Sequence, residues 1–126
     1  MIYRLSARSL KALEGVHPDL VAVVKRAIQI TPVDFVVIEG VRTIERQREL
    51  FKAGASRTMK SRHLTGHAVD LAVWLGTVRW EQPLYADLAV AVKAAAKELG
   101  VPIEWGWDLW GWDAPHWQLG RRKYPG

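Results

Sequence analysis

Hydrophobic and polar positions change period several times along the chain, and each change marks an element. Behind Pro18, Leu20, Val23, Val24, Ala27 and Ile28 recur at helical spacing. Proline suits a first helical turn, and Thr31-Pro32 stops the stripe. Upstream, Ser9 is placed to cap a short helix through Glu14, ended by Gly15. Phe35-Val36-Val37-Ile38 is an unbroken apolar run, the pattern of a buried strand, ending at Glu39-Gly40. Thr43 then predicts a capped helix from Ile44 to Ala53, closed by Gly54. Residues 55–67 are polar and read as a loop. At Ala68 the period becomes two: Val69, Leu71 and Val73 are large and apolar, whereas Ala68, Asp70 and Ala72 are small or acidic. That alternation predicts a strand through Trp74 with Asp70 between two alanines on one face. Gly76 to Pro83 reads as a turn. Leu84 to Leu99 reads as an alanine-rich helix ended by Gly100 and Pro102, and Ile103–Trp105 as a short strand. A tryptophan-rich loop from Gly106 to Pro115 precedes a last strand, His116–Leu119. The predicted fold class is α+β: one domain over residues 1–126, helices packed on a small, mostly antiparallel sheet.

Composition narrows the classes. The 126 residues include no cysteine, which excludes disulfides, thiolate metal sites and a cysteine nucleophile. Met1 to Ser6 carry no long apolar run, so no signal peptide is read there. No stretch approaches the ~20 apolar residues of a membrane span. The expectation is a protein made in a cytoplasm without membrane insertion, acting as a monomer. The net charge of +5 favours an anionic partner, but no nucleic-acid motif accompanies it, so none is expected. Five of the seven tryptophans fall between positions 105 and 117. Core and loop packing is the expectation for most of them, a ligand-binding wall the alternative.

The candidate chemistry centres on Asp70. A straight strand would put His63 about 23 Å away, but Thr65-Gly66 can turn the chain back over the carboxylate. With His116, two histidines and one carboxylate suit a zinc ion with a position left open for water, the pattern of a catalytic site. His63 and His67 are four apart, as in helical zinc proteases, but Leu64 stands where that motif needs glutamate and Gly66 argues against a helix. His67 is therefore expected nearby but unliganded, and His17 structural. Asp113, on the approach to His116, is a candidate general base or a plain loop aspartate. Arg42, after a strand end, can hold a carboxylate or a developing oxyanion. Gln47 and Ser61 are candidates to support the same substrate site.

Ser61-x-His63-x-x-Gly66-x-Ala68-x-Asp70 followed by Asp113-x-Pro115-His116 resembles the signature of the zinc D-alanyl-D-alanine carboxypeptidases and L-alanyl-D-glutamate peptidases (peptidase family M15). Gly40-x-Arg42-Thr43-x-x-x-Gln47 also fits. So does the stretch from Ser9 to Leu20, which is similar to the start of the family's compact phage endolysins. The resemblance implies a hedgehog/D-Ala-D-Ala-peptidase-like fold, zinc on His63, Asp70 and His116, a base at Asp113, and substrate or oxyanion binding by Arg42. It further implies hydrolysis of bacterial peptidoglycan between L-alanine and D-glutamate during phage lysis, the enzyme leaving the host cytoplasm through a holin. Arg57, Lys60 and Arg62 would then meet acidic groups of the stem peptide. The alternatives are a D-Ala-D-Ala carboxypeptidase of the same family, or a non-catalytic zinc-stabilised binding domain as in hedgehog proteins.

Overall fold

In the computed structural model, which describes residues 2–126, the elements run α1 (Ala7–Ala12), α2 (Pro18–Ile30), β1 (Phe35–Glu39), α3 (Ile44–Lys52), a 3₁₀ turn (Arg62–Thr65), β2 (Ala68–Trp74), β3 (Val78–Arg79), α4 (Gln82–Leu99), β4 (Ile103–Trp105), α5 (Gly106–Trp110) and β5 (His116–Leu119). Strand order is β1-β2-β5-β4, with β3 paired to β2, and every pairing is antiparallel. Among the described residues, no helix is long and apolar enough to cross a membrane.

The sheet is two-faced because its strands alternate. Val69, Leu71 and Val73 of β2 join Phe35 and Val37 of β1 and Trp117 and Leu119 of β5 in the core, all at most 2% exposed. The apolar stripes of α2 and α4 cover this face and pack on each other. Burying each large apolar side chain contributes roughly 1.5–3 kcal/mol, so this layer holds the fold. The opposite face carries Asp70, His116, Gln118 and Glu104; it faces away from α2 and α4, and Trp110 of α5 lies against His116 with ring centres 5.3 Å apart. One irregularity shapes that face. Val37 pairs with Leu71 but Glu39 pairs with Asp70, so Ile38 is an extra residue in β1. Without this bulge the alternation would turn Glu39 toward the core.

Four sequence expectations change. The first helix is capped by Ser6, whose Oγ accepts the Ser9 N–H at 3.1 Å, and it ends at Ala12 rather than Glu14. Ser9 lies inside the helix, fully buried, and its Oγ accepts the Val37 N–H at 3.0 Å. It thereby satisfies a donor on the outer edge of β1. Second, the stretch after Trp105 is not all loop: α5 occupies Gly106–Trp110. Third, Arg62 is buried, and its guanidinium donates to the carbonyls of Leu119 and Tyr124. It fastens the C-terminal segment and does not face the surface with Arg57 and Lys60. Fourth, the stretch read as a turn from Gly76 to Pro83 also holds β3 and the first residues of α4, while the caps at two other helix starts are local. His17 caps α2 through Nδ1, which accepts the Asp19 N–H, and Thr43 caps α3.

Replacing Ser9 by Ala should strand the Val37 donor in the interior and cost about 1–3 kcal/mol. Urea unfolding should show a lower midpoint with an unchanged slope. An unchanged midpoint would mean that the edge amide finds another partner.

Candidate metal centre

Register brings the first two functional groups together. β2 and β5 pair so that Asp70 stands directly opposite His116, on the face away from α2 and α4. His63 arrives from the 3₁₀ turn between Arg62 and Thr65. The turn begins with Ser61, whose Oγ accepts the His63 N–H at 3.2 Å, and closes on Gly66 at φ +75°. A Cβ on Gly66 would come within 2.7 Å of the Gly15 carbonyl oxygen, so the turn needs glycine on both counts. The expected return over Asp70 is thus made within a few residues. His63 Nε2 and His116 Nδ1 lie 3.2 and 3.3 Å from the same oxygen, Asp70 Oδ1. The donor atoms of the three residues all lie within 4.8 Å of one another.

The hydrogen bonds behind the rings fix which nitrogens carry protons. His63 Nδ1 is 2.9 Å from the Gly40 carbonyl, which only accepts, so this nitrogen donates. His116 Nε2 is 2.9 Å from Gln118 Oε1. The amide cannot be reversed, because Gln118 Nε2 donates at 3.0 Å to the Glu104 carboxylate, another pure acceptor. His116 Nε2 therefore donates as well. In the neutral rings, His63 Nε2 and His116 Nδ1 are left as lone pairs aimed at a carboxylate oxygen. Three acceptors meeting in a buried site repel unless a cation lies among them. The set fits a divalent metal: two imidazoles and a carboxylate, each histidine oriented by a partner on its far side. A proton can play the same part more weakly. Burial opposes charge on both groups. Even so, hydrogen bonds and charges from His116 and His63 hold Asp70 well below the usual carboxylate range, and Asp70 raises His116.

Asp113 lies on the loop between α5 and β5 and lines the same cleft of about 660 Å³ as the three donors. Its backbone takes φ +60°, rare outside glycine though tolerated by aspartate. The strain has a local cause. The Asp113 carbonyl accepts the His116 N–H at 3.1 Å and passes so close to Gly106 that a Cβ there would sit 2.4 Å away. Trp105 Nε1 donates to the Ala114 carbonyl at 2.7 Å, a second tether on this loop. Burial, and then the charge of Asp70, push the Asp113 carboxyl up, against the pull of His116, His63 and Arg42.

Arg42 is in the cleft wall, but its fork is occupied. Nε and Nη2 donate to Glu39 at 2.6 and 2.7 Å, and Nη1 donates to Gln47 Oε1 at 2.7 Å. Nη2 also lies 3.9 Å from Asp70 Oδ2. Glu39 is on this face only because of the bulge in β1. Gln47 departs from the expectation of a substrate contact. It is fully buried, and its Nε2 donates to Ser56 Oγ at 2.8 Å and to the Thr58 carbonyl at 2.5 Å. It positions Arg42 and the 56–58 loop. Ser61 lines the cleft and is partly exposed.

The remaining histidine and the tryptophans also find their places. His67 turns away from the donors: its Nδ1 is 2.7 Å from Thr65 Oγ1 and its ring 5.8 Å from that of His17. Most tryptophans have aromatic partners in the core or the loops: Trp80 stacks on Tyr85, Trp107 lies against Trp105, and Trp110 lies against Trp112. Trp105 and Trp117 stack in the core at 5.6 Å, but the other five are 39–61% exposed, and Trp110 and Trp112 line the cleft.

The sequence reading gave Glu39, Gln118 and Glu104 no role at the site. Gln118 had a signal, standing two residues after His116 and so on the same strand face. Glu104 had none, because nothing in the sequence states that β4 pairs with β5.

A model of the family described as phage L-alanyl-D-glutamate peptidase matches residues 1–120. The L-alanyl-D-glutamate peptidase of Escherichia phage T5 is 34% identical over 132 residues, covering 100% of this chain and 96% of that protein. The L-alanyl-D-glutamate peptidase of Listeria phage A118 is 38% identical over 94 residues, which span 73% of this chain and 32% of that protein. Among solved structures, the Serratia marcescens L-Ala D-Glu endopeptidase ChiX superposes with a TM-score of 0.89 at 48% identity, covering 98% of this chain and 95% of that one. With a family match over nearly its whole length and the same α+β architecture as a solved peptidase, the chain belongs to the phage L-alanyl-D-glutamate peptidase family.

Proposed function

We propose that residues 1–126 form one zinc peptidase domain that hydrolyses the L-alanyl-D-glutamate bond of the peptidoglycan stem, with His63, Asp70 and His116 as the zinc ligands. The observation that carries the reading is the convergence of three lone-pair donors beside Asp113 in an open cleft. The names of the relatives support the bond. The phage origin of two of them supports a role in host lysis, with the enzyme made in the host cytoplasm and admitted to the wall by a holin.

A zinc ion held by these residues would polarise the scissile carbonyl and acidify water. The rest of the chemistry belongs to the chain. Asp113 takes a proton from the attacking water and returns it to the departing amine. Arg42, clamped on Glu39 and braced by Gln47, brings positive charge to the cleft wall without having to reorganise as the carbonyl oxygen becomes negative. Ser61 orders the turn that carries His63 and offers its hydroxyl to the substrate backbone. Gln118 and Glu104 keep the His116 lone pair aimed at the metal position.

Asp113→Ala should retain zinc and fold while turnover falls about 10²–10⁴-fold. Parent-like turnover would remove Asp113 from the mechanism. Gln118→Leu frees the His116 ring to rotate and exchange tautomers, so zinc affinity, measured by competition with a chromophoric chelator, should weaken about 10–100-fold. Unchanged affinity would show that the ring is held by packing alone. The function itself is tested by digesting intact sacculi and labelling the new amino termini. D-glutamate ends are expected. Released D-alanine without them would make the protein a carboxypeptidase, and no release at all would favour a binding domain.

A further inference from the structure

An L-alanyl-D-glutamate bond places a glutamyl residue on the amine side of the cut. One of its two carboxyl groups continues the chain, and the other is free and charged. A cleft that selects this residue needs a cation for that group. Arg42 is the obvious candidate from sequence, but its fork already grips Glu39. Arg62 is buried and turned to backbone carbonyls. Arg57, Lys60 and Arg121 also line the cleft, and among the described residues none of the three is in an ion pair.

Of these, Arg57 is the one held in place. Its guanidinium carbon lies 4.9 Å from the centre of the Trp112 ring, and Trp112 immediately precedes Asp113. A guanidinium resting on an indole keeps its N–H groups for another partner, and their planar fork matches a carboxylate. The contact spans the cleft from the loop after α3 to the loop that carries Asp113. Lys60 has no such anchor, and Arg121 stands in the field of Arg62.

We propose that Arg57, held on Trp112, receives the free carboxylate of the glutamyl residue and sets the preference for an acidic residue after the cut. The proposal rests on the peptidase reading above and adds a specificity-determining residue to it. It also gives two exposed aromatic and cationic side chains a common purpose: Trp112 supplies the seat and Arg57 the charge.

The test uses the zinc-loaded full chain and two synthetic stem peptides, one with the free glutamyl carboxylate and one with a carboxamide there. A charge-assisted hydrogen bond of about 1.5–3 kcal/mol corresponds to a preference of roughly 10–150-fold in kcat/KM for the acid. Arg57→Gln should raise KM for the acid peptide, leave kcat and the amide peptide nearly unchanged, and bring the ratio close to one. Arg57→Lys should keep part of the preference. The proposal is overturned if the parent shows no preference, if Arg57→Gln retains it, or if both peptides suffer equally. It is also overturned if Lys60→Ala or Arg121→Ala abolishes the preference instead. Cleavage of neither peptide by the parent would remove the peptidase reading and this proposal together; every other outcome bears on Arg57 alone.

Discussion

Mutual repulsion among three acceptors is the constraint around which this molecule is built. Asp70 Oδ1 meets His63 Nε2 at 3.2 Å and His116 Nδ1 at 3.3 Å, and neither ring has a proton to spare for it once Gly40 and Gln118 have been satisfied. Left to itself such a group would spread apart or take up protons. It stays together because each member is fixed from behind: Asp70 and His116 by strand register, His63 by a turn with no slack at Gly66, and both rings by acceptors that admit only one tautomer. The electrostatic cost is what would favour a cation at this site, since a cation turns the three repulsions into attractions.

The fold supplies that rigidity economically. The sheet face under α2 and α4 provides the stability, and the other face is left to carry polar groups that a core would not accept. The bulge in β1 extends the polar face by one residue and brings Glu39 beside Asp70, where it neutralises and aims Arg42. On the far side, close packing of Gly106 under Asp113, with Trp105 bound to the Ala114 carbonyl, holds the loop before β5 in a strained conformation. Strain at such a place is consistent with a carboxylate placed for chemistry rather than for stability.

Much of this was legible in the sequence, and for identifiable reasons. The period-two run from Ala68 announced both the strand and the face on which Asp70 stands. The stripes of α2 and α4 announced the helical layer. The three ligands were suggested by Asp70 between two alanines, by the Thr65-Gly66 turn that can bring His63 back over it, and by the resemblance of the combined motifs to a zinc peptidase family. What escaped depended on contacts between distant segments. Ser9 read as a helix cap because local pattern cannot see the β1 edge it serves. Arg62 read as a surface cation because the carbonyls of Leu119 and Tyr124 lie far along the chain. Gln47 read as a substrate contact although the loop folds over it. Glu104 had no signal because strand order is not written in period, and the bulge at Ile38 is invisible until the partner strand is known.

In the proposed site, His63, Asp70 and His116 jointly hold one zinc ion through two imidazoles and a carboxylate. X-ray absorption at the zinc edge of the protein loaded with one equivalent tests it directly. Two imidazole nitrogens with oxygen completing the shell are expected, and one imidazole should be lost in either His63→Ala or His116→Ala. A shell of oxygen alone, or two imidazoles persisting in both variants, would contradict it.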